Sequence, residues 1–147
     1  MGVTNMNAIS FLQKKNKILK EQRKNDHNYD RNKRKAMKEN KDKKYLHDLY
    51  TKYDENRFNL TYELMELLSR WYTYRSYNLQ LPTYYGDDDI WVKGKSDDYI
   101  LTNKGLTTLR SAIRNERHER FRGAFSWISI IIGLIGALTG LFAVIGK

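Results

Sequence analysis

The stretch "AFSWISIIIGLIGALTGLFAVIGK" (residues 124–147) decides how the rest of the chain is read. Phe125 to Ile145 are 21 consecutive uncharged positions in a protein whose formal net charge is +10. At about 1.5 Å rise per residue such a helix extends roughly 31 Å, close to the thickness of a bilayer's hydrocarbon core. Twelve of the 21 are Ile, Leu, Phe or Val. At about −0.3 to −0.6 kcal/mol each on the insertion scale, they offer about −4 to −7 kcal/mol in favour of lipid. A buried core helix would need a larger domain around it, and a helix lying on a surface would need a charged face that this segment lacks. The expectation is a transmembrane helix within residues 123–147.

Charge around the span sets its orientation. Arg110, Arg114, Arg117, Arg120 and Arg122 precede it and Lys147 follows it, so the positive-inside rule keeps the N-terminus and the bulk of the chain cytoplasmic. In a bacterium the membrane is then the inner one. Arg117, Arg120, Arg122, Phe125 and Trp127 are the expected lipid-interface residues, cations at headgroup phosphates and rings at headgroup depth. Inside the span Ser129, Gly133, Gly136, Ala137, Gly140 and Ala143 fall on one helical stripe, with a GxxxG from Gly136 to Gly140. Small side chains let a second backbone approach closely, so this stripe is the expected site of association with another copy or a partner's helix.

Working outward, the charge is not evenly spread. Residues 13–44 carry 14 basic against 5 acidic side chains, residues 45–103 carry 6 against 10, and residues 104–122 carry 6 against 2. Two basic blocks thus flank a mildly acidic middle, a pattern that suits an anionic surface as partner. The chain has no cysteine, which excludes disulfides, thiolate chemistry and Cys-type zinc sites and suits a cytosolic domain. Its first residues are polar and run into lysines, unlike a secretory signal. Gly2 lacks the Ser or Thr that a myristoylation motif places where Met6 stands.

Three segments follow: a basic, partly disordered or helical one at 1–44, a small cytoplasmic helical domain at 45–122, and the span at 123–147. The first has too few apolar residues to fold alone. Phe11, Leu12, Ile18 and Leu19 form a short stripe, so residues 6–24 are expected to be a helix that lies on an anionic leaflet or docks on the domain. Lys14, Lys15, Lys17, Arg31, Lys33, Arg34 and Lys35 are the expected contacts to an anionic partner. From Leu46 to Tyr74, Leu46, Tyr50, Tyr53, Leu60, Leu64, Leu67, Trp71 and Tyr74 keep a seven-residue beat, with Arg57 on the same row. That spacing predicts a long amphipathic helix whose stripe is covered by its own domain more readily than by a coiled-coil partner. Pro82 closes it. "IWV" at 90–92 and "YILT" at 99–102 predict a β-hairpin with Gly94 in its loop. Thr102 or Asn103 then caps a helix with Leu106, Leu109 and Ile113 inward, which no proline separates from the span. The fold class is mainly α: a long amphipathic helix, a small β-hairpin, and a long helix continuing into the membrane.

Trp91 followed by "YILTNKGLTTLRSAIRNE" (99–116) and a Gly-rich apolar tail resembles the C-terminal half of uncharacterised small bacterial inner-membrane proteins. The matching positions are Trp91, Leu101, Thr102, Gly105, Leu109, Arg110, Ile113, Arg114 and Glu116, over about residues 71–146. The resemblance implies topology and little about activity. "YILTNKGLTTL" is also similar to the wing-to-helix junction of winged-helix DNA-binding proteins. There the preceding residues belong to or follow a basic recognition helix, whereas here they are "PTYYGDDD" (82–89), whose aspartates repel a phosphate backbone.

No catalytic constellation emerges. His27, His47 and His118 are far apart in sequence and match neither a zinc-binding nor a nucleophile motif. Asp87, Asp88 and Asp89 lack the spacing of a calcium loop. No enzyme, metal or cofactor is therefore expected. Two function classes stand in front. The first is a C-terminally anchored single-pass protein acting by interaction through a span that self-associates or pairs with a partner, as a membrane-perturbing effector of toxin or defence type or an accessory subunit. The second is a membrane-tethered nucleic-acid binder using the basic N-terminal segment.

Overall fold

A computed structural model of the chain describes residues 7–82, 86–95 and 98–145. It is mainly helical, with one small antiparallel hairpin between long helices. Helix α1 is Ala8–Lys38, α2 is Lys43–Asn78, strand β1 is Trp91–Lys93, β2 is Tyr99–Leu101, and α3 is Asn103–Ile145. Packing divides the chain into one compact unit ending at Leu109 and a second beginning at Arg110.

Helix α1 is longer than its few apolar residues announce, and it docks along α2. Asn7 caps it, its side chain accepting from the Ser10 N–H at 2.7 Å. Phe11, Ile18 and Ala36 are buried, while Lys15, Gln22, Asn25, Tyr29 and Asn32 are half-buried between them. These eight positions recur every three or four residues, a continuous seam in which polar side chains hold most of the middle places. Phe11 stacks on Trp71 with ring centroids 4.4 Å apart and planes 6° from parallel. Farther along, Gln22 donates to Thr61 Oγ1 at 3.4 Å and Asn25 to the Tyr53 carbonyl at 3.3 Å. Tyr29 stacks on Tyr53 at 4.3 Å. The partners descend in α2 as they ascend in α1, so the pair is an antiparallel helical hairpin.

The turn that makes this possible is written in its residues. Asn40 takes φ 50°, the left-handed conformation that asparagine tolerates after a helix, and the Lys41 N–H reaches back to the Ala36 carbonyl at 3.0 Å. Asp42 then caps α2 by accepting from the Tyr45 N–H at 2.9 Å. The far end of α2 repeats the device with Gln80 at φ 57° and a Leu81 N–H bond to the Ser76 carbonyl at 2.9 Å, just before Pro82.

The hairpin pairs Trp91 with Leu101, Val92 with Ile100 and Lys93 with Tyr99. It leans on α2 at two points. The Tyr62 hydroxyl accepts from the Lys95 N–H at 2.5 Å. Ser69, only 3% exposed, accepts from the Leu101 N–H at 2.8 Å and donates to the Met65 carbonyl at 2.7 Å. Ser69 thus satisfies an edge-strand amide in a place that water does not reach. Ser69→Ala leaves that amide unpaired and is expected to destabilise the unit by about 1–3 kcal/mol, read as a lowered denaturation midpoint. A midpoint unchanged by the substitution would show that the amide finds another acceptor.

Thr102 is the cap of α3. Its Oγ1 accepts from the Gly105 N–H at 3.1 Å and donates to the Asp89 carbonyl at 2.6 Å, while its N–H donates to the Ile90 carbonyl at 2.9 Å. Leu106, Leu109 and Ile113 are buried, as their spacing predicts. Leu106 and Leu109 join Phe11, Ile18, Leu67, Leu68, Trp71, Ile90, Trp91 and Leu101 in one core.

Candidate functional site

The second unit begins with arginines and becomes apolar within about three turns. Arg120 pairs with Glu116 at 2.8 Å, one helical turn apart, and Arg117 and Arg122 are exposed. Phe121, Phe125 and Trp127 are 62%, 63% and 70% exposed. Beyond them every described side chain from Ile128 to Thr139 is exposed, including Ile130, Ile131, Ile132, Leu134, Ile135 and Leu138. These positions cover the whole circumference of the helix at 3.6 residues per turn. The apolar window has a mean hydropathy of 1.7 and none of it is buried. By length and composition α3 is a helix able to cross a membrane, the one such helix among the described residues.

Two of its hydroxyls are turned inward on the helix itself. Ser129 donates to the Phe125 carbonyl at 3.0 Å and Thr139 to the Ile135 carbonyl at 2.7 Å. A Cβ added at Gly133 or Gly136 would meet nothing within 4 Å. Ser129, Gly133, Gly136 and Ala137 therefore form an open strip along one side. The side chains at 140–145 lie outside the described residues, and the expected association positions Gly140 and Ala143 with them.

The basic residues expected to meet an anionic partner all lie on α1, but not on one face of it. Lys14, Lys17, Arg31, Lys33, Arg34 and Lys35 are exposed and Lys15 is half-buried in the seam. Lys33 leans over the Tyr29 ring, 5.7 Å from its centroid, on the α2 side. Arg31, Arg34, Lys35 and Lys38 instead line a shallow groove with His27 and Asp30. Lys35 also reaches Glu39 at 3.7 Å. At about 1.5 Å per residue, Lys17 and Arg31 stand roughly 21 Å apart along the axis.

Between α1 and α2, near their turn, an open groove is lined by Asn25, Tyr29, Asn32, Tyr45, Asp48 and Lys52 among others. Beside it the Tyr53 hydroxyl donates to Asp26 at 2.9 Å and accepts from Arg57 at 2.7 Å. Burial, with the Asp26 carboxylate behind it, pushes the Tyr53 phenol above its ordinary value. Arg57, the charged residue on the α2 row, is thereby explained as a partner for tyrosine. Among the acidic residues of the middle segment, Glu66 pairs with Arg70 at 2.5 Å and Asp89 with Lys104 at 2.5 Å. The Lys104 ammonium holds the Asp89 carboxyl below the usual carboxylate range, and Asp89 in turn holds Lys104 above the usual lysine value. Asp87 turns inward on its own loop, accepting from the Asp89 N–H at 2.9 Å. Among the described residues no three His, Asp or Glu side chains gather as metal ligands would.

What this arrangement offers is two surfaces, one apolar and one cationic. Compared with known proteins, the chain matches no family model, no curated protein and no solved structure.

Proposed function

We propose that the protein is a membrane-anchored interaction protein. Residues 125–145 of α3 cross a bilayer, the inner membrane of a bacterium, and the arginine-rich flank keeps the helical-hairpin unit on the cytoplasmic side. The observation that carries this reading is the uncovered apolar surface around the full turn of α3. In water each such Ile, Leu or Phe forgoes about 1.5–3 kcal/mol that full burial would bring, whereas lipid covers all of them at once. The inward hydroxyl bonds of Ser129 and Thr139 fit the same solvent, since an unsatisfied hydroxyl in hydrocarbon is costly.

The span then pairs with a second copy along Ser129, Gly133, Gly136 and Ala137, where no side chain obstructs a neighbouring backbone. Membranes from cells making the full chain test both parts. The chain is expected to stay in the pellet after alkaline carbonate, and a cross-linked dimer is expected to fall severalfold in Gly136→Leu. Release into the supernatant would refute the anchor. A dimer indifferent to the leucine would refute the pairing and leave the anchor standing.

A further inference from the structure

Helix α1 turns Phe11, Ile18 and Ala36 toward α2, and the positions about half a turn away form a second row along its outer side. Lys17, Lys20, Lys24, Arg31, Arg34 and Lys38 follow one another at intervals of three, four or seven residues, with His27 filling the one gap. All seven side chains are exposed. Among the described residues none of the six cations makes an ion pair or rests on an aromatic ring. Of the acidic residues within α1, Glu21 stands one turn from Lys17 and Lys24 and Asp30 one turn from Arg34, at the edges of the row, while Asp26 accepts from Tyr53 on the α2 side. From Lys17 to Lys38 the row covers 21 residue steps, hence roughly 32 Å.

We propose that this outer face of α1 docks on the headgroup plane of an acidic lipid leaflet, an inference that rests on the membrane-anchor reading above. Three observations select lipid over a nucleic acid. A row with an average spacing of 3.5 residues drifts only about 20° per heptad around a straight helix, about 60° from Lys17 to Lys38, so its cations stay on one side that can face a flat array of phosphates, whereas a duplex curves away from a straight rod. The row contains no Phe, Tyr or Trp to serve as a stacking platform for unpaired bases, and its one ring is the His27 imidazole. A protein anchored in a bilayer also holds its cytoplasmic unit at high local concentration beside an anionic surface. With no apolar residue in the row, α1 rests on the headgroups without entering them, and salt weakens the contact. Lys15 and Lys33, about 140° around the helix at the same 100° per residue, take no part.

The chain has no native cysteine, so a single introduced one reports cleanly. The full-length His27→Cys variant, in nanodiscs of phosphatidylcholine or of phosphatidylcholine with phosphatidylglycerol, is labelled with a maleimide. Thr51→Cys, on the exposed face of α2 away from α1, is the control. Labelling of His27→Cys is expected to slow about tenfold in the acidic discs at low salt and to recover at high salt, with Thr51→Cys unchanged. Adding Lys24→Glu and Arg31→Glu should abolish the slowing. Equal rates in both discs would overturn the proposal, as would protection that survives the two charge reversals. Protection by duplex RNA or DNA in neutral discs, with none from acidic lipid, would overturn it in favour of a nucleic acid. Failure of the chain to enter discs at all would instead remove the anchor, and this inference with it.

Discussion

Trp71→Ala is expected to destabilise the helical-hairpin unit by about 3–5 kcal/mol, the range for deleting a buried large aromatic. Trp71 is 7% exposed and carries Phe11 on one face at 4.4 Å. The Arg75 guanidinium lies 5.2 Å from the ring centroid and Tyr74 packs at 6.5 Å. Few residues share this burden, because only Phe11, Ile18 and Ala36 of α1 are buried. The rest of the seam is Lys15, Gln22, Asn25, Tyr29 and Asn32, of which Gln22 and Asn25 hydrogen-bond to α2 for roughly 0.5–1.5 kcal/mol each. Losing the tryptophan therefore loosens the N-terminal half of α1 first. Denaturant unfolding of the full chain in detergent, followed by circular dichroism, measures the loss. Protease access near Lys14 and Lys17 locates it. A shift below about 1 kcal/mol would mean that α1 is held by its polar seam instead.

The second large effect concerns Gly105. A methyl group there would press into the carbonyl oxygen of Ile90 and stand 3.0 Å from both Ile90 Cγ2 and Leu101 Cδ2. Alanine normally improves a helix by up to about 1 kcal/mol over glycine. Overpacking costs about 1–3 kcal/mol, and more where the obstacle cannot move. Here it cannot easily do so, since that carbonyl accepts the Thr102 N–H at 2.9 Å and so fixes the junction between the hairpin and α3. Gly105→Ala is expected to lose about 1–3 kcal/mol net. Gly123 is the internal comparison, because a Cβ there meets nothing within 4 Å. Alanine at 123 should hold stability or raise it by up to about 1 kcal/mol. If both alanines stabilise, the close approach of α3 to Ile90 is relieved at little cost and the argument fails.

Most of the fold was legible where chemistry and periodicity agree. The hairpin follows from two short apolar runs around a polar turn, and α3 starts at a threonine cap followed by Leu106 and Leu109. The apolar tract of α3 announces itself by composition alone. Helix α1 was harder, and the reason is physical. Its seam is filled at the middle positions by asparagine, glutamine and tyrosine, which hydropathy scores as surface although Asn25 and Tyr29 engage Tyr53. Composition could count lysines and arginines but could not tell which share a face. Lys15 and Lys33 looked equivalent to Lys17 and Arg31 until the docking of α1 gave the helix an inside and an outside. Had the polar residues at intervals of three and four been tracked together with the apolar ones, both the full length of α1 and its outer row would have been readable.

Ser129 and Thr139 have already committed their hydroxyl protons to carbonyls one turn back. Anything that approaches the tract between Ile128 and Thr139 meets ridges and hollows, and neither of these two hydroxyls has a proton left to offer. Along that stretch the helix therefore offers a surface distinguished by its contour, with the flat side at Gly133 and Gly136 set against the ridges of Ile130, Ile131, Leu134 and Ile135.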